Sequence, residues 1–201
     1  MRTLALVLLL APAPAGIAAS QIRQATLIKP TSCADGLQAL GLTSPPRRVE
    51  ITTHYDSVTD SSLAVYARPT AASIMRPRDG VNEITGLMHF AKQAPSELPH
   101  LELDLLVHSA AARTPDERLL SFQLDDSTHL ALGLAGAYPS VQVGGTGLNQ
   151  HIISMIAPAD ALQLLRAHKI RGSLGTTTFD VSDQDRDGLR ALVMYVRCGA
   201  Q

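Results

Sequence analysis

Between Leu101 and Val107, apolar Leu101, Leu103, Leu105 and Val107 alternate with polar Glu102 and Asp104, and only Leu106 breaks the rhythm. A period of two belongs to a strand with one face on a core and the other toward water. The signal returns at once. Leu120, Phe122 and Leu124 precede the turn residues Asp125, Asp126 and Ser127, and Leu130, Leu132 and Leu134 follow them. That pattern is a hairpin whose apolar rows point one way, and it makes Pro99 to Leu134 the centre of an antiparallel sheet.

Further strand patterns lie on both sides of this centre. Val49, Ile51, Thr53 and Tyr55 alternate with polar residues, and Leu63, Val65 and Ala67 follow a loop from Asp56 to Ser62, which predicts a second hairpin. Ile84 to Phe90, Tyr138 to Val143, His151 to Ile156, Ile170 to Leu174 and Thr177 to Val181 read as shorter strands, and Gly144 to Gly147 as a turn. Near the carboxyl end the period changes. Pro158 and Asp160 open a short helix that ends near His168. Ser182 precedes a final helix whose Leu189, Leu192, Val193 and Val196 stand at i, i+3, i+4 and i+7. The expected fold is α+β, mainly antiparallel and sandwich-like, with two helices near the C-terminus packing on the sheet.

The amino terminus carries Arg2, the apolar run Leu4 to Leu10, and small residues up to Ala19, which is the layout of a secretory signal peptide. The run is far shorter than the roughly 20 apolar residues of a spanning helix. Cleavage is expected after 18 or 19. No cysteine follows either site to accept a lipid, so no membrane insertion is expected after cleavage. The expected organisation is a signal peptide over 1–19, an irregular arm over 20–46 closing on Ser44, Pro45 and Pro46, and a single β-rich domain over 47–201. About 180 residues suit one core.

Export places the chain in the periplasm or outside the cell, where thiols oxidise. The two cysteines, Cys33 and Cys198, stand near opposite ends of the mature chain and lack CxxC spacing, so a disulfide between them is expected. Charge excludes other partners. With 17 Lys and Arg against 18 Asp and Glu, the chain offers no long-range attraction to phosphate backbones or anionic lipids. No nucleic-acid partner is expected. With no Trp and 3% aromatics, base-stacking platforms are scarce as well.

Asp183, Asp185, Asp187 and Gly188 match the first half of a calcium loop, in which alternate carboxylates converge on a hard cation. Met194 stands where such a loop needs its bidentate Glu. An acidic first turn capped by Ser182 accounts for the same residues, and calcium remains the one cofactor considered. The histidines show no local zinc spacing, and although His54, His108 and His129 could share the polar faces of adjacent strands, they are expected to be solvated strand-face residues. Gly144 to Gly147 lacks the lysine of a phosphate loop, and no serine stands in a G-x-S-x-G elbow. Asp56 with Asp60, and Asp125 with Asp126, are turn residues.

No catalytic constellation emerges. The expected function is a non-catalytic binding or accessory domain of the bacterial cell envelope, recognising an unknown protein or small ligand through the loops Arg68 to Asn82 and Ser109 to Glu117. Two alternatives accompany it. One is a periplasmic hydrolase whose site is assembled from distant residues, and the other is a calcium-stabilised structural module.

Overall fold

The computed structural model describes residues 26–28, 34–43, 45–47, 49–56, 60–68, 78–91, 98–138, 141–143 and 147–198. Its strands are β1 (Thr26–Ile28), β2 (Val49–Asp56), β3 (Ser61–Tyr66), β4 (Gly80–Ala91), β5 (Leu101–Ser109), β6 (Leu119–Leu124), β7 (Thr128–Leu134), β8 (Gly136–Ala137), β9 (Val141–Val143), β10 (Gly147–Ile156), β11 (Ile170–Leu174) and β12 (Thr177–Asp180). Its helices are α1 (Ala34–Leu40), α2 (Pro158–Arg166) and α3 (Asp183–Cys198). The fold is α+β and mostly antiparallel, as the alternation predicts.

The strands form two sheets. The larger runs β1-β2-β3-β4-β5-β10-β8, with β9 also pairing β10, and the smaller runs β12-β11-β6-β7. This corrects the expected single centre, because β5 lies in the large sheet and the β6–β7 hairpin in the small one. The chain changes sheets through residues 110–118, where Arg113 holds both sides. Its backbone N–H donates to Gln150 Oε1 of β10 at 3.1 Å, and its Nη2 donates to Thr177 Oγ1 of β12 at 2.8 Å. The segment expected as a recognition loop thus also ties the two sheets together.

The β6–β7 turn is closed by the Ser127 N–H donating to Leu124 O at 3.1 Å, with Asp125 and Asp126 both at positive φ, 50° and 62°. Positive φ at both central residues matches the twist of a two-stranded hairpin. Farther along, the register shifts between Leu120 and Ser121. This bulge turns the end of β7 over. Leu130 is buried, yet Leu134 is 60% exposed, so the predicted apolar row 130, 132, 134 is broken. Of the expected strand Tyr138 to Val143, only Val141–Val143 is a strand, β9, while Tyr138 follows β8; residues 139–140, and 144–146 of the expected glycine turn, lie outside the described residues. The arm read as irregular contributes β1, paired with β2, and α1.

One core lies between the inner face of the large sheet and the elements that cover it. Ile51, Ala64, Tyr66, Met88, Leu101, Leu103, Leu105 and Ile152 come from the large sheet, and Leu120, Phe122, Ile170 and Leu174 from the small one. Helix α3 covers β2, β3 and β4. Its predicted stripe of Leu189, Leu192, Val193 and Val196 is fully buried, and each such side chain contributes about 1.5–3 kcal/mol. Close approach depends on two glycines. A methyl group on Gly188 would overlap the Tyr66 ring, and one on Gly86 of β4 would overlap Leu189. Helix α2 begins at Pro158, as expected, and its carboxyl end is held by Arg190, whose Nε donates to Leu165 O at 2.7 Å and Nη2 to Ala167 O at 3.1 Å.

Replacing Gly188 with Val is expected to lower the unfolding free energy by about 2 kcal/mol, because the new methyls must displace Tyr66 or lift α3. Urea denaturation of both proteins measures it, and an unchanged midpoint would mean that α3 does not rest on that ring.

Candidate functional site

Three groups of polar side chains bear on function, and the first is the start of α3. Ser182 caps the helix, its Oγ accepting from the Asp185 N–H at 3.1 Å while donating to Asp185 Oδ2 at 2.6 Å. Asp185 is only 4% exposed. Its carboxylate is held by the Arg68 guanidinium, which donates through Nε at 3.1 Å and also through Nη2, and by the Tyr66 hydroxyl at 3.3 Å. Burial and the neighbouring Asp185 charge push the Tyr66 phenol far above its ordinary range. These contacts fasten the end of β3 to the start of α3.

The calcium expectation involves the same turn. Asp183, Asp185 and Asp187 stand in the first turns of a helix rather than in a loop, and their carboxylates face different cations. Asp183 meets Arg186 at 3.0 Å, Asp185 meets Arg68, and Asp187 lies between Arg47 at 3.7 Å and Arg190 at 3.8 Å. Among the described residues no group of three or more His, Cys, Asp or Glu side chains is arranged to hold a metal ion. Cys198 ends α3, and Cys33 lies outside the described residues, as do residues 69–77 of the first expected recognition loop.

The histidines singled out in the sequence are not brought together. His54 lies on β2 and His108 on β5, at different ends of the large sheet's outer face, whereas His129 is exposed on β7 of the small sheet. His108 corrects the expectation of a solvated side chain. It is 7% exposed, with Nδ1 2.9 Å from Asn149 Oδ1 on the paired strand β10. Asp125 also has a structural task, its Oδ1 accepting from the His168 and Lys169 N–H groups at 2.8 Å, which holds its carboxyl below the usual range.

The third group is one that sequence reasoning missed. On the outer face of the large sheet, His151 of β10 places Nδ1 2.9 and 3.0 Å from the two carboxylate oxygens of Asp104 on β5. A carboxylate accepts, so His151 Nδ1 is the donor to Asp104. The register explains the meeting. His151 lies opposite Leu106, and Asp104 opposite Ile153, so the two form a diagonal pair. Glu83 of β4, opposite Leu106, completes the group. Partial burial first, and then the Asp104 charge, hold the Glu83 carboxyl above the usual range. Asp104 and His151 both stand at polar positions of alternating strands, so their shared face was readable. Their shared register, across 47 residues, was not.

No protein family, no curated protein and no solved structure matches this chain.

The raised Glu83 value carries a sign. The folded state binds the Glu83 proton more tightly than the unfolded chain, so stability falls as pH rises from the ordinary glutamate value of about 4.3 through the native value. Glu83→Gln is therefore expected to raise the melting temperature at neutral pH and to lose that gain below about pH 4. Thermal melts at both pH values check this, and an equal gain at both would contradict it. Asp185→Asn removes a buried charge that holds Arg68 and is expected to cost about 2 kcal/mol in urea denaturation. A cost near zero would mean that the junction of β3 and α3 is held elsewhere.

Proposed function

We propose that this chain is an exported binding or accessory domain of the bacterial cell envelope, and that its recognition surface is the outer face of the large sheet. The observation that carries the reading is the contrast between that sheet's two faces. The inner face is sealed by α3 and the small sheet, whereas the outer face leaves Met155 66% exposed beside Ile153 and Leu106, with Leu63, Val65 and Leu87 partly exposed over β3 and β4. Accessible apolar side chains gathered on one open face support a binding role. Of the two loops on which a sequence reading places recognition, residues 110–118 are tied down by Arg113, and residues 69–77 lie outside the described residues.

Export belongs to the same proposal and rests on Arg2 and the apolar run Leu4 to Leu10. So does a disulfide between Cys33 and Cys198, which a thiol assay on unreduced protein would overturn by finding two free thiols. The Asp104–His151 pair favours a second reading, a hydrolase in which His151 Nε2 accepts a proton from a nucleophile. An open sheet face offers that chemistry no enclosure from water, which ranks it below binding.

The test is a photo-crosslinking residue at position 155 of the tagged mature chain, with capture from the envelope fraction and mass spectrometry. The expected result is a reproducible protein adduct at 155 and none when the same residue stands at exposed position 180 on β12. Adducts at neither position would overturn the binding proposal. Ester hydrolysis abolished by His151→Ala would establish the alternative.

A further inference from the structure

We infer that the outer face of the large sheet takes a basic, amphipathic polypeptide segment, an inference that rests on the binding role proposed above and adds the chemistry of the partner. The cross-strand registers place the outward side chains in rows. One row runs Thr52, Val65, Leu87, Glu102 and Met155 across five strands, and the next holds Thr85, Asp104 and Ile153. A third holds Glu83, Leu106 and His151.

Two apolar patches result. Leu63, Val65 and Leu87 form one over β3 and β4, and Leu106, Ile153 and Met155 form the other over β5 and β10. Glu102 and Asp104 on β5, with Glu83 beside them on β4, stand between the patches, and Glu50 lies on the flank in β2. Among the described residues no Lys or Arg occupies an outward position of β2, β3, β4, β5 or β10, and the histidines are the only residues there able to carry positive charge. The Arg68 guanidinium, whose charge also draws on Glu83, is bound to Asp185 on the inner side.

Charge complementarity selects the occupant. Three carboxylates between two apolar strips attract cationic side chains spaced between apolar ones, and their mutual repulsion, visible in the effect of Asp104 on Glu83, is relieved when a cation arrives. Anionic lipid and nucleic acid are repelled by the same face. A second copy of this chain would set carboxylates against carboxylates, which disfavours self-association through it.

The test uses the full mature chain and two synthetic amphipathic peptides, one of Lys and Leu and the other with Glu at each Lys position, followed by fluorescence anisotropy. The Lys peptide is expected to bind and the Glu peptide not. Affinity for the Lys peptide should fall roughly tenfold in the double variant Glu102→Gln, Asp104→Asn, and fall also as salt is raised from about 50 to 500 mM. Asp126→Asn, which removes an exposed charge on the β6–β7 turn, should leave binding unchanged, and matching thermal melts would show that the double variant is folded. Equal binding of the two peptides, an equal loss in Asp126→Asn, or salt-independent binding would overturn the inference. So would sedimentation as a dimer that Met155→Asp dissociates. An adduct at position 155 with no preference for the Lys peptide would remove the partner's chemistry while leaving the binding role standing. Absence of both would remove the two together.

Discussion

Helix α3 reaches the inner face of the large sheet because two side chains are missing at the contact, Gly188 over the Tyr66 ring and Gly86 beneath Leu189. The rest of the arrangement depends on that approach. With the helix seated, its stripe of Leu189, Leu192, Val193 and Val196 is removed from water over β2, β3 and β4, and the small sheet covers the remainder of the core. The Arg68, Tyr66, Ser182 and Asp185 contacts then set where the helix begins. A buried carboxylate held by a cation and two hydroxyls is costly to break, since loss of either charge leaves the other poorly solvated.

Sealing one face of a sheet that is open on the other divides the molecule's tasks. Polar residues on the covered side, such as Ser182 and Arg190, satisfy the backbone at helix ends. On the outer side, Asp104 accepts from His151 beside Glu83, and the apolar residues next to them are partly or fully exposed. Ion pairs of this exposed kind contribute little to stability, about 0–1 kcal/mol.

Much of the architecture was legible because it is local. The alternation of Leu101, Leu103, Leu105 and Val107, the spacing of Leu189 to Val196 and the helix starts marked by Pro158 and Ser182 are each local to a single element. What was illegible depends on pairing. Nothing between Ser109 and Arg118 announces a change of sheet, because the hydrogen bonds that tie the two sheets together there come from Gln150 and Thr177, far along the chain. The bulge opposite Leu120 was equally hidden, and with it the exposure of Leu134. His108 was expected in solvent because a strand's polar face is usually wet, and burial beside Asn149 reversed that. In the site, the residue types were visible and their register was not.

The central claim, an inner face sealed by α3 beneath an outer face open to partners, is tested most directly by methionine oxidation. Met88 of β4 and Met194 of α3 are buried in the core, and Met155 stands on the outer face. Treating the native mature chain with dilute peroxide and following each sulfoxide by mass spectrometry should show Met155 oxidised well before Met88 and Met194, which react only as the protein unfolds. Equal protection of all three would contradict the account, because the face assigned to binding would then already be covered.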